Sequence, residues 1–276
     1  MVKISVRRLA NLLLSLALLL GGSAGCQKKT EIANAASPTP ARASSESASP
    51  RAAAPTRAVA APITDRITPA LVGEEGDSIT HYLHFPTDPE AAKSDGAVQF
   101  YCDITEDGAV EATHALIGNN DAFKGAVQKA LDWGRFTPAT VNGKPVRVYL
   151  GGTVLFLHQN GGEVIVVSLA THDRDRVGKM ANYIQPQLLG GIRHTMEHAI
   201  SSLTQGILVA GKAEVVVSVD AKGVVTGTSS ISENPKGSGL GPLLDGAVKK
   251  AQFTSAYENG TPAAGGINVV ANFGQF

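Results

Sequence analysis

Two cysteines, Cys26 and Cys102, stand in a chain of 276 residues. That count supplies no disulfide framework if Cys26 is used otherwise. Aromatic residues make up 5%, with one tryptophan, so base-stacking platforms are scarce. Lys plus Arg number 24 and Asp plus Glu number 24, so neither sign dominates. The basic footprint of a nucleic-acid binder is therefore lacking. The longest leucine-rich run, over 9–20, falls short of the ~20 residues that span a bilayer comfortably. Gly-Gly pairs occur at 151–152, 161–162, 190–191 and 265–266, none followed by the Lys-Ser/Thr of a phosphate loop. No serine sits in a Gly-x-Ser-x-Gly elbow.

What is present begins with Lys3, Arg7 and Arg8 ahead of the leucine-rich run. Gly21, Gly22, Ser23, Ala24 and Gly25 then lead to Cys26. A basic start, an apolar middle and small residues before a cut site predict an export signal over 1–25. Ser23-Ala24-Gly25-Cys26 resembles the bacterial lipobox, with Ser23 where leucine is usual. The resemblance implies cleavage before Cys26 and lipid on that residue. Gln27 after the cysteine implies the outer membrane rather than the inner. From 26 to 68 the composition turns to Ala, Ser, Pro, Thr and Arg. Such a stretch buries too little to offset chain entropy, which predicts a disordered tether reaching roughly 130 Å when extended.

The remaining ~200 residues suit two domains of about 100 each, predicted over 69–170 and 171–276. The reason is an internal repeat. Phe136, Thr137, Ala139, Asn142, Gly143, Pro145 and Phe156 recur without a gap as Phe253, Thr254, Ala256, Asn259, Gly260, Pro262 and Phe273. In the first copy, alternation predicts a strand over 98–104, with Cys102 a buried apolar side chain. Asp107-Gly108 is hairpin chemistry, and 110–117 is the return strand. Asn120 or Asp121 caps a helix that Gly134 ends near Trp133. Asn142-Gly143 turns the chain into a strand over 146–158, and Asn160-Gly161-Gly162 into another over 163–169. The region 67–86 has no clear period. In the second copy, 171–183 reads as a charged helix. Pro186 opens an amphipathic helix whose apolar face is Leu189, Ile192, Met196, Ala199, Ile200 and Leu203. Strands over 213–219 and 224–231, a helix over 240–251 and a strand over 265–273 complete it.

The order strand, Asp-Gly turn, strand, helix, then Trp133-Gly-Arg-Phe-Thr-Pro-Ala139, Asn142-Gly-Lys-Pro145 and a strand ending in Phe156 resembles the TonB C-terminal domain family. The resemblance covers about 96–156. It implies an α+β fold: two TonB-C-terminal-like units, each a small antiparallel sheet packed by helices, after a disordered tether. The second copy departs from the pattern, with Ser255 matching Pro138 and Lys250 matching Trp133. In that family the final strand can pair with an extended peptide from an outer-membrane receptor, through main-chain hydrogen bonds. That implies partner contacts at Arg135, Phe136, Val146, Val148 and Leu150. Arg135 read by itself is a surface cation.

His194-Thr-Met-Glu197-His198 fits H-x-x-E-H. Histidines at i and i+4 share a helix face and can reach one zinc ion, with the glutamate as general base. A third ligand is wanting, since Glu214 and Glu233 lie on or beside predicted strands, so the plainer reading is the wet face of a helix. The acidic residues Glu74, Glu75 and Asp77 read as a solvated loop. The sequence thus predicts a non-catalytic, cofactor-free, periplasm-facing lipoprotein. It would bind envelope or outer-membrane proteins by strand addition, with an intramolecular pseudo-dimer or homo-oligomer possible. The two other readings are an energy transducer of the TonB type for outer-membrane transport and a small zinc hydrolase using His194, Glu197 and His198.

Overall fold

Alternation and turn chemistry build the first sheet. The computed structural model describes residues 66–74, 76–170, 182–201 and 210–274, all within one compact unit over 61–276. The predicted signal, Cys26 and the tether up to residue 65 lie outside the described residues, as do Glu75, Leu203 and 171–181 of the predicted charged helix. The fold is α+β, with antiparallel sheets and few helices.

A one-turn helix, α1 (Ile79–Tyr82), precedes strand β1 (Gly96–Ile104). Asp107 and Gly108 turn β1 into β2 (Val110–Gly118). Gly108 has φ +84°, and a Cβ there would stand 2.0 Å from the Phe136 carbonyl oxygen, so only glycine fits. Helix α2 (Asp121–Trp133) follows, its first turn capped by the Asn120 side chain, which accepts from the Ala122 N–H. Gly134 ends it, but not in the left-handed conformation. Its φ is −86°, and glycine is required because a Cβ would lie 2.5 Å from the Ile79 Cα. β3 (Val148–Gln159) then pairs with β1, giving the order β2-β1-β3, and Asn160-Gly161 returns the chain as β4 (Gly162–Ser168) along the far side of β3.

One face of this sheet carries Val98, Phe100, Cys102, Ile104, Leu150, Val154 and Phe156 against Phe123, Val127 and Leu131 of α2. Cys102 is fully buried, and desolvation pushes its thiol up. Trp133 stands outside this core, 68% exposed.

The second half repeats the order: α3 (Gly191–Ser201), β5 (Lys212–Val219), β6 (Val225–Asn234), α4 (Leu240–Val248) and β7 (Gly265–Asn272). Its sheet runs β6-β5-β7. Val215, Val217, Ile267 and Val269 pack on Leu244 and Val248 of α4 and on Ile192 and Met196 of α3. Tyr101 and Tyr149, from the other face of the first sheet, enter this same core.

The helix expected to open at Pro186 opens five residues later. Gln187 is held extended by Thr254, which accepts its N–H through Oγ1 and donates its own N–H to the Gln187 carbonyl. Leu188 and Leu189 pair as a short strand with Tyr149 and Val148. The helix begins only at Gly191, after Gly190, the two glycines having φ +78° and +82° respectively. Leu189 is therefore off the helical face. The start of α3 is capped from a distance: the Asp103 carboxylate of β1 accepts the Ile192 N–H at 2.9 Å. The start of α4 is capped likewise by Glu233 of β6, which accepts the Gly241 N–H at 2.7 Å. That bond is the main reason the Glu233 carboxyl lies below its usual value.

Candidate functional site

For strand addition the decisive feature is an unpaired edge, and β3 has none. Its inner edge is taken by β1 from Val148 to Phe156. On its outer edge, Thr153–Gln159 pairs with β4 and Val148–Tyr149 with Leu188–Leu189. Between these two stretches the Gln185 side chain donates Nε2–H to the Gly151 carbonyl at 2.8 Å. Just before them, the Gly190 N–H donates to the Arg147 carbonyl at 2.8 Å. Nor do β3 and β7 pair with each other. The outer edge of β7 meets the buried Tyr149 hydroxyl instead, which donates to the Asn268 carbonyl and accepts the Val270 N–H.

The five residues assigned to partner contact are placed accordingly. Phe136, Val148 and Leu150 are buried, at 3%, 0% and 0% exposure, within the core under α2. Val146 ends the short strand Lys144–Val146 and packs at that core's margin. Arg135 is half-exposed. Its Nη1 donates to the Asp107 carboxylate at 2.7 Å and to the Asp107 carbonyl, and its Nε faces Asp77 at 3.6 Å. The Thr105 hydroxyl and Arg135 together hold the Asp107 carboxyl down to about 2.

Among the described residues the edge left open beside β3 is that of β4, which pairs only with β3. Its sequence is Gly-Glu-Val-Ile-Val-Val-Ser, and its register with β3 runs without a shift. The other outer strands differ. Both β2 and β6 carry register shifts, and β6 reads Val-Thr-Gly-Thr-Ser-Ser-Ile-Ser-Glu-Asn. Bulges and polar side chains blunt an edge, whereas a regular apolar strand invites pairing.

His194 and His198 lie on the exposed side of α3, their Nε2 atoms 3.2 Å apart. Glu197 is exposed beside them. Among the described residues no group of three or more His, Cys, Asp or Glu side chains is arranged around a common point. The third ligand of a zinc hydrolase is thus not supplied by them. No described helix is long and apolar enough to cross a membrane.

Sequence reasoning missed Gln185, Tyr149 and Asp103. Gln185 and Tyr149 give no local signal, since a glutamine in a loop and a tyrosine in a strand are unremarkable until their distant partners are known. Asp103 gives none either: it alternates with Phe100, Cys102 and Ile104 and so reads as a carboxylate on the solvent face. No curated protein and no solved structure matches the chain. Residues 81–156, which run from α1 through most of β3, match the family model described as Gram-negative bacterial TonB protein C-terminal.

Proposed function

We propose that this is a membrane-tethered, periplasm-facing lipoprotein whose folded part binds an envelope or outer-membrane protein by strand addition and carries out no chemistry itself. Lipid on Cys26 and the tether over 26–68 would hold it to the membrane, the outer one by the Gln27 argument. The folded part is read as two TonB-like units, over 69–170 and 171–276. The family match over 81–156 supports the first. The repeated order of elements supports the second, as does the equivalence of Gly108 and Gly223. Both have positive φ, and a Cβ on them would stand 2.0 Å from the Phe136 oxygen and 2.2 Å from the Phe253 oxygen, respectively.

The observation that carries the binding mode is the regular apolar edge of β4. Because β3 is closed, the docking edge moves outward by one strand. Asn160 and Gly161 have φ +53° and +76°, so the β3–β4 hairpin has a two-residue turn. The pair Gln159–Gly162 beside it exchanges hydrogen bonds, and bonding alternates from there. Glu163, Ile165 and Val167 accordingly turn their backbone groups away from β3, towards an incoming strand. Main-chain bonds would supply affinity, and the half-buried valine and isoleucine side chains selectivity.

The test places a photo-crosslinking residue at Glu163 in the native host, with and without Ile165→Pro. Proline removes an outward N–H but none of the ladder with β3. Crosslinks to one envelope protein that vanish in Ile165→Pro, with the purified variant still folded, support the reading. Crosslinks unaffected by Ile165→Pro reject β4 as the docking edge. The intact mass of the N-terminal peptide tests the tether: an acylated chain beginning at Cys26 is expected, and residues 1–25 retained would overturn it.

A further inference from the structure

We propose that His194 and His198 form a two-histidine chelate for a zinc-like divalent cation, a binding site independent of the strand edge and separate from any hydrolase reading. The two residues lie one helical turn apart on α3, which places both imidazoles on one side of the helix. Their Nε2 atoms converge to 3.2 Å, and their ring planes are nearly perpendicular at 82°. Two imidazole nitrogens bound tetrahedrally to zinc at ~2.05 Å stand ~3.3 Å apart. The pair therefore already has the nitrogen–nitrogen separation that such a site requires. In the metal-free arrangement one ring donates Nε2–H to the other. The donating ring must carry its proton on Nδ1 instead before both Nε2 atoms can ligate.

The surroundings suit a partly open site. His194 and His198 line a cavity of about 620 Å³ between α3 and α4, together with Leu189, Leu243, Lys250 and Gln252. No third acidic, cysteine or histidine side chain joins them among the described residues, so water would fill the remaining coordination positions, and the cavity has room for it. Imidazole nitrogen selects zinc, copper or nickel over magnesium and calcium, which take oxygen ligands.

The experiment is a calorimetric titration of the full-length protein in detergent with Zn²⁺, repeated on His194→Ala, His198→Ala and the double variant. Both side chains are exposed, so folding is expected to survive and is checked by circular dichroism. One Zn²⁺ per chain is expected, weakened ~100-fold by either single change, because the second ligand acts as an intramolecular one. Titration with Mg²⁺ is expected to give no heat. Cobalt substitution is expected to give the strong visible absorption of a four-coordinate site in the parent and not in the double variant. Two results would overturn the assignment. One is no zinc binding by the parent at millimolar metal. The other is a double variant weakened by less than about tenfold, which would place the metal on other histidines.

Discussion

The Tyr149 hydroxyl holds the outer edge of β7: the Val270 N–H donates to it at 2.7 Å. It donates in turn to the Asn268 carbonyl at 3.2 Å. Tyr149 is fully buried, and desolvation pushes its phenol up, so the proton needed for this bond is kept. One side chain of the first sheet thus satisfies two backbone groups that would otherwise wait for a neighbouring strand.

Tyr149→Phe leaves both groups buried and unpaired while keeping the ring that stacks on Tyr101. A loss of about 2 kcal/mol is expected, from desolvation without compensation. Urea unfolding followed by circular dichroism measures it. An unchanged midpoint would mean that water replaces the hydroxyl.

Asp103 makes the second link between the halves. Its carboxylate accepts the Ile192 N–H at 2.9 Å, the Arg193 N–H at 3.4 Å, and meets His114 Nε2 at 3.1 Å. Its side chain is fully buried, and that of His114 is 2% exposed. Asp103→Ala uncaps α3 and removes the buried carboxylate that His114 meets, at an expected cost of ~3 kcal/mol. Amide hydrogen exchange distinguishes this from general loosening: protection is expected to fall first over α3, ahead of α2.

Asp107 predicts a pH dependence. Thr105 and then Arg135 hold its carboxyl down to about 2, against ~3.9 in an unfolded chain. The stabilisation is fully present above the unfolded value. It is lost as pH falls through about 2, because the unfolded state takes up its proton first. Asp107→Asn removes this component. Its melting temperature is expected to lie below that of the parent at neutral pH and to converge with it towards pH ~2.

Long, strongly patterned elements were legible in the sequence, and short ones were not. The alternation around Phe100 and Cys102, the Asn120 cap and the apolar face of α2 gave bounds within about two residues of those observed. Two-residue strands such as Leu188–Leu189 and Tyr183–Ile184 have no period to detect, which is why the helix of the second half was started too early. Family resemblance pointed to β3 as the docking strand, but both of its edges are occupied. What closes its edge is chemistry from 162–189, brought there by non-local pairing that no local window contains. The histidine pair was visible as spacing; only the fold brought the two ring nitrogens to 3.2 Å.

The closure of β3 also has an order in time. Its inner partner β1 precedes it in the chain, whereas β4, Gln185 and Leu188–Leu189 all follow. A chain emerging N-terminus first completes the β2-β1-β3 sheet before those coverings exist. The edge sealed in the finished protein is therefore bare in the newborn one. That edge is closed only once residues 162–189 have followed it.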